Sequence, residues 1–308
     1  MTLLPSGLSP NRPASLQPQR RGLLLGGLLA VMNSPLLGYT ATQTARVAVP
    51  GDVADDLARF LNGRDVALVQ NFGGPFARRD VMELAYLLRE MRHALPELTV
   101  QIVRIDSYAR LLIELASGRV DVLGTTAWER DLLQAGASIT LSPALLANGE
   151  STAGFYTTPT NHAALSMRTS QQLKQLKVVS NSAWTTDWTT LTQLGLSRLI
   201  DVKTWPQMVQ MVANRRADLL LAPFATTSNL ELVHEGMTLV PVQGVAVALG
   251  GSRHLASANT DVGRQIAGKL FPVLEAQVRN GDLRRAYTEC GFYNPTTAKW
   301  PLINPVTR

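Results

Sequence analysis

The chain has 308 residues, a formal net charge of +6, and a composition that is 45% hydrophobic and 17% charged. That length suits two lobes of ordinary size, and that composition excludes a disordered or fibrous polymer. The single cysteine, Cys290, excludes an intrachain disulfide and a thiolate metal site.

Residues 1–21 hold Arg12, Arg20 and Arg21 and no acidic residue, and Gly22 to Val31 follow as an unbroken run of Gly, Leu, Ala and Val. Basic residues ahead of a short apolar run are the layout of a secretory signal, so the sequence predicts export to the periplasm. Residues 1–45 are then a signal peptide or, if uncleaved, an N-terminal anchor. Ala41 and Ala45 follow Tyr39 and Gln43 by two positions, and neither makes a good small-x-small cleavage site. Arg20-Arg21 also resembles a twin-arginine signal, but Gln19 stands where that signal prefers Ser or Thr, and the general secretory route fits better. Without residues 1–45 the charge falls to +3, which leaves no nucleic-acid footprint. The pairs Arg78-Arg79, Arg215-Arg216 and Arg284-Arg285 read as solvated helix ends.

Further along, Asp65 to Val69 reads as a short buried strand broken by Asn71-Phe72-Gly73-Gly74-Pro75. Val81, Leu84, Ala85, Leu88 and Met91 recur at helical spacing up to Pro96. Thr99 to Ile105 alternates as a strand, Leu111 to Leu115 reads as a helix stopped by Gly118, and Arg119 to Leu123 reads as the next strand. Alternating strands and helices imply parallel pairing. The long connection Leu141 to Ser170 has few regular signals and reads as a hinge between lobes or as an ordinary surface loop. The pattern then repeats, with strands at Lys177 to Ser180 and Leu199 to Val202, a helix from Trp205 to Asn214, and Arg216-Ala217-Asp218-Leu219-Leu220-Leu221. This last run mirrors Arg119-Val120-Asp121-Val122-Leu123, and Asn181 stands as the analogue of Asn71. A loose two-fold repeat describes two similar lobes. Thr238 to Leu249 reads as extended, Asp261 to Val278 as a long helix, and Leu283, Ala286 and Tyr287 as a short one. Phe292, Tyr293 and Trp300 hold the tail.

Leu115-Ala116-Ser117-Gly118-Arg119-Val120-Asp121-Val122-Leu123, then Glu129-Arg130, Ser142-Pro143 and Arg215-Arg216-Ala217-Asp218, give the chain a resemblance to the type-2 periplasmic solute-binding proteins of the polar amino-acid class, family 3. The resemblance covers roughly residues 62 to 300. It implies an α/β, two-lobed periplasmic-binding-protein-like fold, each lobe a mostly parallel sheet flanked by helices. Lobe one would take residues 46–155 plus 243–308, and lobe two residues 156–242. It also implies a monomer that closes on a small polar or anionic solute and hands it to a membrane permease of an ABC-type uptake system, or signals to a membrane sensor protein, without a cofactor or metal.

Ligands of open α/β sheets sit beyond the carboxyl ends of parallel strands. Four such ends are readable, at Asn71-Phe72-Gly73, Gly124-Thr125-Thr126, Asn181-Ser182-Ala183-Trp184 and Pro223-Phe224. Asn71, Thr125 and Thr126 offer hydrogen bonds there, and Phe72, Trp128, Trp184 and Phe224 offer apolar walls, or else pack as core. In the family that the chain resembles, a Thr-x-x-Arg pattern sets a guanidinium against the ligand's carboxylate, which implies that role for Arg130. This chain keeps the Arg but has Ala127 in place of the Thr, so helix capping or pairing with Glu129 or Asp131 is the competing role. Pro223 stands where family members often carry the acid that meets an ammonium. Asp187 is the substitute anion, or an ordinary partner of the helix dipole.

No Gly-x-Ser-x-Gly elbow, His-Glu-x-x-His or Gly-x-x-x-x-Gly-Lys motif occurs. His93, His162, His234 and His254 are isolated and read as surface or capping residues, Gly73-Gly74 and Gly250-Gly251 as turn formers, and Cys290 as half buried. The sequence therefore predicts binding without turnover. An exported dehydratase of the same fold is the enzymatic alternative, and a cleft carboxylate with a raised pKa would favour it.

Overall fold

The computed structural model describes residues 43–304, so the expected signal peptide or anchor over residues 1–45 lies outside the described residues except for its last three. The first lobe runs through β1 (Thr44–Val49), α1 (Gly51–Leu61), α2 (Arg79–Ala94), β2 (Thr99–Arg104), α3 (Tyr108–Ala116), β3 (Val122–Leu123), β4 (Ala127–Trp128), α4 (Glu129–Ala135) and β5 (Ile139–Leu141). The second begins with β6 (Ser151–Thr157), α5 (His162–Leu165), α6 (Ser170–Leu173), β7 (Val178–Ser180), α7 (Thr185–Gln193), β8 (Leu199–Asp201), α8 (Trp205–Ala213) and β9 (Leu219–Ala222). It ends with β10 (Leu232–His234), β11 (Met237–Pro241) and β12 (Val247–Leu249). The chain then returns to the first lobe as β13 (Arg253–His254), β14 (Ala256–Ala258), α9 (Asp261–Arg279) and α10 (Asp282–Glu289).

The first sheet has the order β2-β1-β3-β14-β5, and β1 pairs parallel to both β2 and β3. The returning strand β14 runs antiparallel to β3 and β5. The second sheet has the order β10-β11-β6-β9-β7-β8, with β7 parallel to β8 and β9 and β6 antiparallel to β9. Each sheet is thus a parallel core closed by a strand that enters from the interlobe crossing.

Two departures from the sequence reading matter. The first sheet starts at Thr44, where Val47, Ala48 and Val49 are buried. The expected strand at Asp65 to Val69 is instead a single 3-10 turn, Val66–Leu68, in which the Asp65 carboxylate accepts from the Ala67 N–H at 3.0 Å. Leu68 is 77% exposed there. A short apolar run does not choose between turn and strand by periodicity, and the Asp65 cap tips this one into a turn. Second, the supposed hinge from Leu141 to Ser170 contains β6, a central strand of the second sheet. The crossings are residues 142–150 and 250–252. His254, expected at the surface, is buried and braces both crossings, donating through Nδ1 to the Ser142 carbonyl at 2.7 Å and pairing through Nε2 with Ser252 Oγ at 2.8 Å.

The two-fold repeat has a structural basis. Asp121 accepts from the Arg46 N–H at 2.8 Å, and Asp218 accepts from the Lys177 N–H at 2.8 Å. Each aspartate's own N–H donates back to the carbonyl of that partner residue, at 2.9 and 2.8 Å. The recurring aspartate therefore clamps two neighbouring parallel strands at their entrance in both lobes. The Asn71 analogy fails, because β1 is followed by Pro50 whereas Asn181 follows β7.

Candidate functional site

Helix α2 opens at Arg79, and helical spacing places Glu83 one turn later on the same face. Arg79 Nη1 donates to both oxygens of Glu83 at 3.0 Å. Glu83 is 2% exposed and also accepts from the Thr126 N–H and hydroxyl, each at 2.9 Å, and from the Tyr287 hydroxyl at 2.9 Å. Its lone pairs are filled by donors, which is what burying a carboxylate requires. Burial lowers the Arg79 pKa but Glu83 outweighs it, so the guanidinium is held above its ordinary value. Burial, with Glu83 behind it, pushes the Tyr287 phenol well up.

Arg253, the first residue of β13, reaches the same pocket from the returning chain. Its Nε and Nη2 donate to Thr126 Oγ1 and to the Thr126 carbonyl, at 3.0 and 2.6 Å. Its guanidinium lies 4.5 Å from the Trp128 ring centroid, a cation–π distance. Among the described residues no carboxylate lies within 4.0 Å of Arg253. Burial and the neighbouring Arg79 lower its pKa. Lobe one therefore presents two half-buried guanidiniums, of which only Arg79 is bonded to the buried carboxylate of Glu83.

Across the cleft, α7 of the second lobe brings Asp187 in its first turn. Burial raises its carboxyl to about 6, and this wins although Arg253 and Arg79 pull the other way. Asp187 forms no ion pair among the described residues. Beside it, Thr185 donates its hydroxyl to Asp131 of α4, a hydrogen bond between the lobes, and Asp131 also accepts from the Tyr108 hydroxyl at 2.8 Å. Tyr108 in turn receives the Trp128 N–H at 3.3 Å.

Of the residues singled out from sequence, Thr126, Trp128 and Asp187 meet at this cleft. Thr125 adjoins them on the same loop and is half-buried. Arg130 is exposed on α4 and has no hydrogen bond or ion pair among the described residues. It lines a cavity of about 620 Å³ between α4 and α7. The other strand-end residues do not converge. Phe72 is 1% exposed and packs 5.3 Å from Tyr86 in the first lobe's core, and Asn71 turns its side chain onto the Gly73 N–H. Phe224 is buried against Trp300 at 5.2 Å and over Gly154, where an added Cβ would lie 2.4 Å from its ring. Trp184 is half-buried against the core that holds Met208 and Val209. These aromatics are core because their loops fold back over the sheets.

Arg79, Arg253, Tyr108 and Asp131 escaped the sequence reading. Arg79 was grouped with Arg78 as a solvated helix end, yet it is only 17% exposed. The i,i+4 partner Glu83 was the signal available for it. Nothing local marks Arg253, which reaches the cleft only because β13 pairs with β4. Cys290 is fully buried, with burial pushing its thiol up to about 12, so it is inert core.

No protein-family model matches the chain, and no curated protein matches it. Solved structures do. The periplasmic VFT2 domain of Bordetella pertussis BvgS superposes with a TM-score of 0.52 at 16% identity, over 84% of this chain and 93% of that one. A periplasmic His/Glu/Gln/Arg/opine family-binding protein from Silicibacter pomeroyi, in complex with lysine, gives 0.51 at 18%, over 81% and 98%. The probable amino-acid ABC transporter extracellular-binding protein ytmK from Bacillus subtilis gives 0.52 at 13%, over 82% and 100%. The chain has the two-lobed α/β fold of periplasmic binding proteins.

Proposed function

We propose that this chain is an exported solute-binding protein whose lobes close on a small solute carrying an acidic group, without turnover. The observation that carries this reading is the pair of half-buried guanidiniums, Arg79 and Arg253, in which only Arg79 has a carboxylate partner among the described residues. A desolvated charge without a counter-ion is costly, and a ligand carboxylate on the side of the Arg253 guanidinium that Thr126 leaves free would supply one through charge-assisted hydrogen bonds. Asp187 faces the same space from lobe two and suits a cationic or hydrogen-bond-donating group on that ligand. Arg253 thereby takes the role that the family resemblance gave to Arg130.

A thermal-shift screen with amino acids, small carboxylates, polyamines and cyclic acids tests it, because a ligand of the closed form adds RT ln(1 + [L]/Kd) to stability. Arg253→Ala should abolish the shift for every acid hit, a loss of roughly 2 to 5 kcal/mol in binding, while Arg130→Ala keeps the shift for short acids. Retained binding in Arg253→Ala would sink the reading. The likeness to a BvgS domain gives a second reading, a sensory subunit that reports closure to a membrane partner. Co-purification with a permease or with a sensor separates transport from signalling. Asp187, with its raised pKa, is the feature that the dehydratase alternative calls for, and product formation from any hit would move the protein to that class.

A further inference from the structure

Building on the acidic-head reading above, we infer that the solute also carries a neutral, hydroxyl-rich tail, and that this tail lies in the cavity between α4 and α7. The cavity and the guanidinium pair share a wall. Trp128 stacks on Arg253 and also lines the cavity, and Thr186 on α7 lines it while its neighbour Asp187 faces the guanidiniums. Arg79, Thr126, Asp187 and Arg253 do not themselves line the cavity, so a solute held at Arg253 reaches this space by extending past the Trp128 ring. At about 620 Å³ the cavity falls within the range of about 300 to 1,000 Å³ typical of pockets that hold whole small ligands, so it exceeds the needs of a head group alone.

The wall chemistry selects the class of tail. Thr186, Thr190, Gln134 and Gln193 are neutral groups that both donate and accept, as hydroxyls do, while Leu133, Leu249 and the Trp128 ring give the wall an apolar side that suits the C–H edges of a polyol. The charged wall residues, Glu129 and Arg130, are of opposite sign, and Glu129 already accepts from the Ser252 hydroxyl at 2.9 Å. A charged tail would find no excess of the opposite sign. An apolar tail would strip water from hydroxyls and amides without replacing their hydrogen bonds.

Calorimetry on the full-length protein, with propionate, heptanoate, gluconate and lactobionate as probes, tests this. Propionate is the head alone, heptanoate adds an apolar tail, gluconate a hydroxylated one, and lactobionate a further neutral hexose. Affinity should rise from propionate to gluconate to lactobionate by roughly tenfold or more in all, and heptanoate should gain less than gluconate. The double variant Thr190→Val, Gln193→Leu should lose most of the lactobionate gain and keep propionate binding and the unliganded melting point unchanged. Lactobionate binding no tighter than propionate overturns the tail, as does a double variant that leaves the gain intact or weakens propionate equally. If Arg253→Ala still binds all four acids, the head reading fails and the tail inference with it. If a peptide acid such as alanyl-alanine gains more than lactobionate, the hydroxyl class is overturned in favour of an amide.

Discussion

Asp187 shows how one residue's surroundings decide its chemistry. In the first turn of an exposed helix an aspartate ionises at its ordinary value and favours the dipole. Here burial raises it from 3.8 to about 6, although Arg253 and Arg79 pull the other way. For an acid, a raised folded value means that the folded state holds more protons than the unfolded state between about 4 and 6, so stability falls as pH rises through that window and levels off above it. We expect Asp187→Asn to remove that slope and to raise stability at pH 7 by on the order of 1 to 2 kcal/mol, allowing for partial solvent access. Melting temperatures of both proteins from pH 4 to 7 check this, and parallel curves would refute it. The acid was visible in sequence beside Trp184 and Trp188. The two guanidiniums that give it a cleft to face come from positions 108 and 66 residues away.

At the scale of elements, periodicity was legible where a helix or strand packs on one neighbour. The helices at α2, α3, α8, α9 and α10 and the strands β2, β7 and β8 form close to where spacing placed them. The sequence reading misses strands β1 and β6, β1 because it begins inside the segment expected to be a signal peptide and β6 because a buried central strand has no alternation to read. The repeated Arg-x-Asp was readable as a pattern, and its physical meaning is the strand clamp. Asp121 is buried and receives the Arg46 guanidinium and the Thr260 hydroxyl as well as a backbone N–H, while Asp218 receives the Lys177 N–H and a long contact of 3.4 Å from Asn161. Asp121→Ala should therefore cost about 2 to 4 kcal/mol in urea unfolding, and Asp218→Ala about half as much. Burial raises the Asp121 pKa, but Arg46 and Thr260 outweigh it and hold the carboxyl below 3.8. Its contribution is thus full above 3.8 and is lost as pH falls through the lowered value, so the gap between wild type and Asp121→Ala should narrow only in strong acid. Equal costs for the two variants at pH 7 would refute the unequal clamp.

For the whole molecule, the lobes meet through the Thr185–Asp131 hydrogen bond and through Trp128, which leaves the first lobe's strand β4 to pack with Val247 and Leu249 of the second. Thr185→Val keeps the shape of the side chain and removes the hydroxyl, so Asp131 loses a donor while both lobes remain folded. The expected result in solution scattering is a larger radius of gyration for the unliganded variant, with near-native melting and weaker solute binding by roughly five- to tenfold, the effect of about 1 to 1.4 kcal/mol on closure. An unchanged radius together with unchanged affinity would show that this contact does not set the closed state.

The sequence by itself determined the two-lobed α/β organisation, the repeat of strand, helix and clamping aspartate, and three of the residues that meet in the cleft. These follow from hydrophobic spacing and turn chemistry, which act over a few residues and are written locally. Only the tertiary structure decided which charges share the cleft and which aromatics stay in the core. Arg79 and Glu83 open α2, Thr126 ends a loop, Arg253 arrives on the strand that returns from lobe two, and Asp187 belongs to the opposite lobe. Their meeting is set by sheet order and by the chain's two crossings, and burial then fixes their protonation. Neither is a property of any window of sequence.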